Sequence, residues 1–430
     1  MSDFERADML ESGSFRKFDP WLVTDRKYVR TIAQNVAGAY SSIRPRQRKL
    51  RTYDKKNVEI VTRAILANVA YAVAMGDDLP IIAVSLRASK RKLTRYDRSG
   101  FAILPKLLEV LSEGGLIELR KSDRRGVTSS YVPSDHLLAD LKRFRLASEH
   151  FAWEHGIETI NLSVTTRDYS TQTRSVEPID YEDTDETRRF REEMTRLNKF
   201  LGTAKFNFLD DDGPPVLTSH RDLVRYFKLN HADDKPNFDL GGRLFNGWWQ
   251  GLSSDRRSHI RIRNEPVADL DFSAAFLRLA HIEAGVIASD GDLYANVPGI
   301  DGQQYRAGLK KIINSMFFRD TPLIRIPSDA KPLLPRGITG KEIREAILSA
   351  FPAIRHVFES GIGLRLMFRE SQVMVRSLSR LMDLHVPAMC MHDGLMVQRS
   401  KADIAAREMA SASAEILGQS LPIKLKTLYK

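Results

Sequence analysis

The sequence predicts an α+β protein built from more than one domain. Its 430 residues are 42% hydrophobic and 28% charged, which is the composition of a globular chain with a well-buried core. Apolar residues at helical spacing over 57–75 are followed by two short strand-like pieces. Two further strand-like runs, 268–273 and 386–397, lie among helical patterns, and the second reads as a β-hairpin. We therefore expect helices packed with antiparallel sheet.

The positive charge is concentrated in the first third of the chain. The net charge is +11. Residues 1–150 carry 28 Lys and Arg against 18 Asp and Glu, whereas residues 151–430 carry 38 against 37. A localised excess of this kind favours a polyanionic partner, of which nucleic acid is the commonest. The alternative is a solvated basic surface.

Several classes of protein are disfavoured. Cys390 is the one cysteine, so neither a disulfide framework nor a zinc cluster can form within one chain. The N-terminus has no apolar stretch typical of a signal peptide, and no window approaches the roughly 20 apolar residues that span a bilayer. We expect no membrane partner and a cytoplasmic location.

Residues 51–150 contain the pattern of a small basic module. The helix over 57–75 is followed by a break, a short apolar segment and a basic stretch over 87–98. A second helix is predicted over 101–111, with glycines just past its end. Strand-like pieces at 116–120 and 127–132 then flank a basic turn.

Helices followed by a basic hairpin resemble a winged helix-turn-helix. That resemblance implies a last helix in the major groove of duplex DNA and a wing on the backbone. A helical module used only for protein contacts has much the same pattern. The candidate phosphate contacts are Lys90, Arg91, Lys92, Arg95, Arg98, Arg124 and Arg125.

The flanking segments have weaker patterns. Residues 1–50 are predicted to form an N-terminal arm that ends in a basic run, and residues 151–235 a linker with a helical, thumb-like region. Within the latter, Ser163–Ile179 is expected to be irregular or an exposed hairpin, and the acidic residues 180–186 are expected to cap a helix over 187–201.

A catalytic site is predicted at two aspartates that each lie at the end of a strand. A short apolar run ends at Asp271, and the later hairpin carries His392-Asp393-Gly394 at its tip. Carboxylates from separate strands are what two-metal phosphoryl chemistry requires, since Mg²⁺ binds one or two carboxylates plus substrate phosphates. Asp269 competes for the metal role because strand alternation points it to the same side as Asp271. We prefer Asp271 because Phe-Ser follows it.

The order of motifs over residues 239–400 resembles family A nucleic-acid polymerases. This part of the chain contains, in this order, a Gly-Arg element, a Gln, a charged Ile-Arg segment and Asp-Phe-Ser. The resemblance implies that Arg243 and Gln250 touch the primer–template backbone. Trp248-Trp249 lies between them, and core packing is favoured for it over base stacking.

A basic helix follows in the order that the family has. Arg306 and Lys310 are four residues apart, so they share one helix face. In the family that face binds the incoming triphosphate and neutralises charge on the leaving pyrophosphate. Phe318 falls where the family has an aromatic near the template base, and His392 is a primer–template candidate. The alternative for this segment is an amphipathic surface helix.

Two positions depart from the family. Gly394 stands where the family has Glu or, in phage RNA polymerases, Ser, so a carboxylate role there is lost or supplied elsewhere. Phe276 stands five residues after Asp271, where family A DNA polymerases have Glu. Reverse transcriptases have an aromatic at this offset that blocks a ribose 2′-OH, so we predict a preference for deoxynucleotides. The alternative is that Phe276 is a core residue of its helix.

The resemblance implies a reduced right-hand palm and fingers over residues 236–430. Asp271 and Asp393, with the Phe272 carbonyl, are predicted to hold two Mg²⁺ ions, for which Mn²⁺ can substitute. The predicted activity is DNA polymerase-like nucleotidyl transfer from nucleoside triphosphates onto a primer–template, as in phage or mobile-element replication. The alternatives are a primase or RNA polymerase on the same core, a non-catalytic DNA-binding replication initiator or regulator, and a metal-dependent nuclease.

Overall fold

The computed structural model describes residues 15–43, 52–86, 94–122, 128–154, 156–168 and 173–430. These residues fold into two compact units. The first contains the described residues up to Glu158 together with Asp210–His220, and the second contains Thr159–Leu209 together with Arg221–Lys430. Both units combine helices with largely antiparallel sheets, so the predicted α+β class is confirmed.

The first unit is built around a buried helix. Its helices are α1 (Lys27–Ile43), α2 (Thr52–Ala74), α3 (Leu104–Glu113) and α4 (Asp135–Arg143). Its strands are β1 (Arg16–Lys17), β2 (Leu22–Thr24), β3 (Ile82–Ala83), β4 (Ile117–Arg120), β5 (Ser130–Pro133) and β6 (Phe151–Trp153). One sheet has the order β1-β3-β5-β4, and β2 pairs with β6.

Helix α2 forms the centre of this core. Val58, Val61 and Ile65 are fully buried, and the Tyr131 hydroxyl donates a hydrogen bond to the Ile65 carbonyl at 3.1 Å. Residues Asp54–Ala74 are long and apolar enough to cross a membrane, which the sequence prediction did not anticipate. Most of that stretch is buried inside the unit, as in the core helix of a soluble protein.

The order of elements in the first unit agrees with the predicted helix–hairpin pattern. Helix α2, strand β3, helix α3 and the hairpin β4–β5 follow one another, and β5 pairs antiparallel with both β3 and β4. The basic turn between β4 and β5 includes residues 123–127, which lie outside the described residues. The winged-helix resemblance itself stays a prediction.

The second unit contains two sheets. Its helices are α5 (Asp185–Thr203), α6 (Ala275–Glu283), α7 (Arg306–Phe317), α8 (Gly340–Ala350), α9 (Gly363–Asp383) and α10 (Ala402–Leu417). Its first sheet contains β7 (Ile160–Asp168), β8 (Thr173–Pro178), β10 (Val224–Leu229) and β11 (Gly241–Phe245). Its second contains β9 (Phe206–Phe208), β12 (Ile260–Ile262), β13 (Glu265–Phe272), β14 (Ala388–Met391), β15 (Gly394–Gln398) and β16 (Ile423–Leu428). The first sheet has the order β11-β10-β7-β8.

The segment expected to be a linker is folded. Strands β7 and β8 form an antiparallel hairpin within Ser163–Ile179, as one of the two predicted alternatives had it. Helix α5 starts earlier than predicted, because the Thr184 hydroxyl accepts a hydrogen bond from the Thr187 N–H at 3.2 Å and caps it. Asp185 and Glu186 lie in its first turn, where carboxylates stabilise the helix dipole. Residues 151–235 therefore contribute to both units rather than forming a separate linker.

Strand β13 is the central strand of the second sheet. It pairs antiparallel with β15 over Val267–Asp271 and with β16 over Ala268–Phe272. Val267, Ala268 and Leu270 are buried, so the strand is covered on both faces. The predicted strand ending near Asp271, the helix after it and the hairpin over 386–397 are all present. Ala274 makes the sharp turn into α6 with a left-handed φ of 52°.

Candidate active site

Asp271 and Asp393 come together at one end of the second sheet. Asp271 is opposite Gly394 in the β13–β15 register. The Phe272 N–H donates a hydrogen bond to the Asp393 carbonyl at 3.3 Å. His392, at the hairpin tip, has a left-handed φ of 57°, which lets the chain reverse there. The fold thus brings the predicted strand end and the predicted hairpin tip side by side.

The electrostatics of Asp271 fit a site for a divalent cation. Burial, and then the neighbouring charge of Asp393, raise the pKa of Asp271 to about 7. The Asp271 Oδ1 atom is inaccessible to solvent and has no hydrogen-bond partner among the described residues. Two close carboxylates, one with an orphaned oxygen, are a suitable oxygen donor set for Mg²⁺.

The described residues offer few side chains that could bind a metal ion at this site. Within the described ranges, no group of three or more His, Cys, Asp or Glu side chains converges on one point. Mg²⁺ characteristically binds through one or two carboxylates and completes its shell with water and substrate phosphates. The donor set at Asp271 and Asp393 therefore fits an ion that arrives with, or is completed by, a phosphate ligand.

Asp269 differs from Asp271 in having a counter-ion. It is buried, and the Lys426 Nζ atom on β16 lies 3.7 Å from its Oδ2 atom. Burial raises the pKa of Asp269, and the charge of Lys426 opposes that shift. Asp269 thus has a counter-ion within 4 Å, and the preference for Asp271 as the metal ligand stays a prediction.

Gly394 is required by the close approach of two strands. A Cβ atom at this position would lie 2.4 Å from the Leu270 carbonyl oxygen and 3.4 Å from the Asp271 Oδ1 atom. The first distance is shorter than real Cβ contacts allow. A glutamate or serine, as in the family that the sequence resembles, does not fit here in this register. The missing carboxylate is a steric consequence of how β15 packs on β13.

A third buried acid was not assigned a role from the sequence. Glu370 lies on α9 with a side chain that is 1% exposed, and its Oε2 atom accepts a hydrogen bond from the Arg243 Nε–H at 2.6 Å. Burial raises its pKa to about 7; Arg243 opposes this shift, whereas Asp393 and Asp271 add to it. Its Oε1 atom has no described partner. The signal in the sequence is its position four residues after Leu366 and four before Met374, on the buried face of an amphipathic helix.

Arg243 and Gln250, which were predicted to contact the primer–template backbone, occupy different environments. Arg243, on β11, is paired with Glu370, and its guanidinium lies 5.3 Å from the centre of the Phe276 ring. The Gln250 amide donates hydrogen bonds to the Leu244 and Cys390 carbonyls at 2.9 and 3.2 Å. Gln250 is thus used to hold the segment after β11 on the β14 strand, and its amide N–H groups are not left for a ligand.

The aromatic residues named from the sequence lie around the same site. Phe276 is 6% exposed and Phe318 is 44% exposed, with ring centres 5.7 Å apart. His392 contacts the Phe245 ring at 5.3 Å, and burial lowers its pKa. Trp249 is fully buried and donates a hydrogen bond to the Cys390 carbonyl at 2.8 Å, which confirms core packing for that residue.

Helix α7 carries three cations, of which Arg306 and Lys311 are paired with aspartates, whereas Lys310 has no ion-pair partner among the described residues. The Arg306 Nε–H donates a hydrogen bond to Asp292 at 2.7 Å, and the guanidinium lies 5.0 Å from the centre of the buried Tyr294 ring. Lys310 is exposed, and its charge lowers the pKa of Asp271, which places it within electrostatic reach of the carboxylates. Sequence reasoning identified Arg306 and Lys310 but not Asp292 or Tyr294.

Two of the seven predicted phosphate contacts of the first unit, Arg95 and Arg98, lie in the part of the chain that the structure describes. Arg95 lies 3.6 Å from the Glu158 carboxylate. Arg98 is buried, pairs with Glu154, donates a hydrogen bond to the Pro20 carbonyl and packs over Trp21 and Phe101. Arg98 is thus a structural residue, and its predicted phosphate contact is withdrawn. The other candidates, Lys90, Arg91, Lys92, Arg124 and Arg125, lie outside the described residues.

Helix α3, which was predicted to enter the major groove, exposes a face of mixed charge. Leu104, Leu107, Leu108, Val110 and Leu111 are buried against the core. The remaining face carries Lys106 against Glu109 and Glu113, and Glu109 is paired with Lys121 at 2.6 Å. With Lys121 included, this face has two positive and two negative side chains, so it lacks the basic excess that phosphate contacts require. The predicted entry of this helix into the major groove stays a prediction.

The chain matches no protein-family model and no curated protein.

Proposed function

We propose that this chain is a template-directed nucleotidyl transferase of the DNA polymerase type. The observation that carries the proposal is that Asp271 and Asp393 meet at one end of the second sheet, where a buried oxygen of Asp271 has no described partner. A bound cation would stabilise such a pair when both carboxylates are ionised. The charge of Lys310 acts on Asp271 from helix α7. Clustered acids and a nearby cation suit a metal–triphosphate ligand.

In this proposal Asp271 and Asp393, with the Phe272 carbonyl, hold two Mg²⁺ ions, and Mn²⁺ can replace them. When bound, these ions lower the pKa of a primer 3′-OH and stabilise charge on the triphosphate. Lys310 binds the phosphates directly. Arg306 joins it after exchanging its Asp292 partner for a phosphate oxygen, which is feasible because both partners of this ion pair are 40% exposed.

The architecture proposed for the second unit is a reduced right hand. The sheet around β13, β15 and β16 is the palm, and helix α7 belongs to the fingers. The substrates are nucleoside triphosphates and a primer–template. Phe276 lies beside the site and limits the space for a ribose 2′-OH, so deoxynucleotides are preferred. The first unit binds duplex DNA through its basic residues outside α3, and the protein acts in the cytoplasm, in the replication of a phage or mobile element.

The test is extension of a labelled primer on a template with Mg²⁺. Wild type is compared with Asp271→Asn, Asp393→Asn and, as a control, Asp403→Asn, which changes an exposed aspartate in the first turn of α10. We expect templated addition of dNTPs by wild type and the control, and a loss of at least about 1000-fold in both site variants, because one metal ligand is removed in each.

The other outcomes separate the alternatives. Addition of rNTPs alone, starting without a primer, would favour the primase or RNA polymerase. Cleavage of the template without nucleotide addition would favour the nuclease. Salt-sensitive DNA binding with no chemistry would favour the initiator or regulator. Equal activity in Asp393→Asn and wild type would contradict the proposed site.

A further inference from the structure

Three side chains from three different elements meet next to the candidate site. Arg243 comes from β11, Glu370 from α9 and Phe276 from α6. The Arg243 Nε–H donates a hydrogen bond to the Glu370 Oε2 atom at 2.6 Å, and the guanidinium lies 5.3 Å from the centre of the Phe276 ring. One charged pair thus connects a buried acid to an aromatic ring at the site.

Burying the Arg243–Glu370 pair costs desolvation free energy when the chain folds. The Glu370 side chain is 1% exposed and that of Arg243 is 21% exposed. Taking two charges out of water costs several kcal/mol for each ion, and replacing a buried ion pair with apolar residues is often neutral or stabilising. The Glu370 Oε1 atom adds to this cost because it is buried without a described partner. Stability alone does not explain the pair, whereas a requirement for fixed geometry does.

The backbone on both sides of the pair is held by a second arginine. Arg225 is fully buried; its Nε–H donates to the Gly242 carbonyl at 3.1 Å, and its Nη2 donates to the Ser371 hydroxyl at 3.1 Å. Gly242 precedes Arg243 and Ser371 follows Glu370. A Cβ at Gly242 would lie 2.6 Å from the Ser371 Oγ atom, so β11 packs directly on α9. The chain therefore fixes Arg243 and Glu370 from both sides.

The Phe276 ring has a defined partner on each side. The Arg243 guanidinium contacts it at a distance that suits a cation–π interaction. The Phe318 ring lies 5.7 Å away, tilted by 32°. Phe318 in turn lies against Gly363 at the start of α9, where a Cβ atom would be 2.5 Å from the ring. The position of the Phe276 ring thus depends on β11 and α9 as well as on its own helix.

We propose that the Arg243–Glu370 pair is a positioning device that holds the Phe276 ring where it excludes a ribose 2′-OH. The inference rests on the proposed function and adds Glu370 as a residue that determines sugar specificity without touching the substrate. A ring excludes one hydroxyl only if it cannot move by the size of an oxygen atom. Glu370 fixes the guanidinium, and the guanidinium fixes the ring.

The test compares incorporation of a dNTP and the matching rNTP by the full chain on a primer–template with Mg²⁺. The ratio of kcat/KM for the two nucleotides measures discrimination. Glu370→Gln keeps the size of the side chain and removes its charge. We expect its ratio to fall about tenfold, mainly through faster use of the rNTP, with kcat for the dNTP within about threefold of wild type.

A double-mutant cycle separates positioning from a general effect on folding. Phe276→Ala removes the ring, so Glu370→Gln in that background is expected to change the ratio no further. The matched control is Glu408→Gln, which breaks the Arg380–Glu408 pair of the same 2.6 Å length between α9 and α10. We expect wild-type discrimination in this control. Arg243→Lys tests the same positioning from the arginine side of the pair, because lysine keeps the charge and loses the planar fork of the guanidinium.

Each outcome is decisive for one of the two proposals. Normal dNTP addition with unchanged discrimination in Glu370→Gln and Arg243→Lys would overturn the inference and leave the proposed function standing. An equal loss of rNTP and dNTP use, or an undiminished effect of Glu370→Gln in the Phe276→Ala background, would also overturn it. No templated addition by wild type would overturn the proposed function and the inference with it.

Discussion

At the scale of single residues, the site brings together acidic side chains that differ in their partners. Asp271 and Glu370 both have pKa values raised to about 7 by burial, and Asp393 lies close enough to contribute to both shifts. Asp269, by contrast, has Lys426. Glu370 is paired with Arg243, whereas the Asp271 Oδ1 atom has no described partner. Asp271 therefore favours the binding of a cation or a proton, and which of the two is bound depends on pH and on the metal concentration.

The first prediction at this scale concerns pH. Because the pKa of Asp271 is raised from 3.8 to about 7 in the folded state, folding favours the protonated form. Its contribution to stability is complete below pH 3.8 and is lost as the pH rises through 7. We expect chemical denaturation in EDTA to show wild type losing up to about 4 kcal/mol relative to Asp271→Asn between pH 4 and pH 8.

The same experiment has an internal control. Adding Mg²⁺ at pH 8 should stabilise wild type and leave Asp271→Asn nearly unchanged, because the ion binds the ionised carboxylate. Parallel stability curves for the two proteins in EDTA, or equal stabilisation of both by Mg²⁺, would contradict the assignment of Asp271 as a buried ligand.

The second prediction concerns Gly394. Gly394→Ala places a Cβ 2.4 Å from the Leu270 carbonyl, and rigid backbone cannot move away cheaply. We expect a loss of about 1–3 kcal/mol, with Gly394→Glu at least as damaging because its side chain is larger. Gly251→Ala is the matched control, since a Cβ there meets nothing within 4 Å. Thermal unfolding measures both, and wild-type stability of Gly394→Ala would refute the close packing.

At the scale of elements, the local pieces of the site were predictable and their partners were not. The strand ending at Asp271 and the hairpin at His392–Asp393 follow from runs of apolar residues interrupted by polar turns. That β16 pairs with β13 could not be read from the sequence, because this pairing joins residues far apart in the chain. Glu370 was missed for the same reason, since its partner Arg243 lies 127 residues away.

Another element whose role emerges only from the structure is the loop between α6 and α7. The buried Arg278 on α6 donates hydrogen bonds to the Ser273, Ser289 and Gly291 carbonyls at 3.1, 3.3 and 3.0 Å. These bonds fix the loop that carries Asp292 and Tyr294 next to Arg306. The sequence indicated only an arginine within an apolar helical run.

The third prediction tests this clamp. Arg278→Met removes three charge-assisted hydrogen bonds and keeps much of the apolar side chain. We expect faster amide hydrogen exchange over residues 285–300, by about tenfold or more, with β14 and β15 unchanged. Arg376→Met, which breaks the exposed Arg376–Glu415 pair, is the control. Uniform acceleration across the second unit would indicate general destabilisation instead of a local clamp.

At the scale of the whole molecule, the charge distribution and the unit boundaries set limits on sequence reasoning. The basic excess of the first third predicted a nucleic-acid partner, yet Arg98 is used inside its unit and the exposed face of α3 has mixed charge. Net charge counts residues without regard to their partners. The α+β class was predictable because it follows from local patterns, whereas the boundary near residue 158 and the return of Asp210–His220 to the first unit depend on distant packing.

The position of β16 has a consequence for how the site comes into being. The residue pairs Asp271↔Gly394 and Asp271↔Lys424 close loops of 123 and 153 residues. During synthesis on the ribosome, the strand carrying Asp271 therefore emerges long before β15 and β16 exist, and until then both its edges are open over residues 267–272, beyond the short pairing of Glu265 and Pro266 with β12. Closing such loops is slow. The site is consequently assembled late, and the nascent chain needs protection from edge-to-edge association until residues 423–428 have joined the sheet.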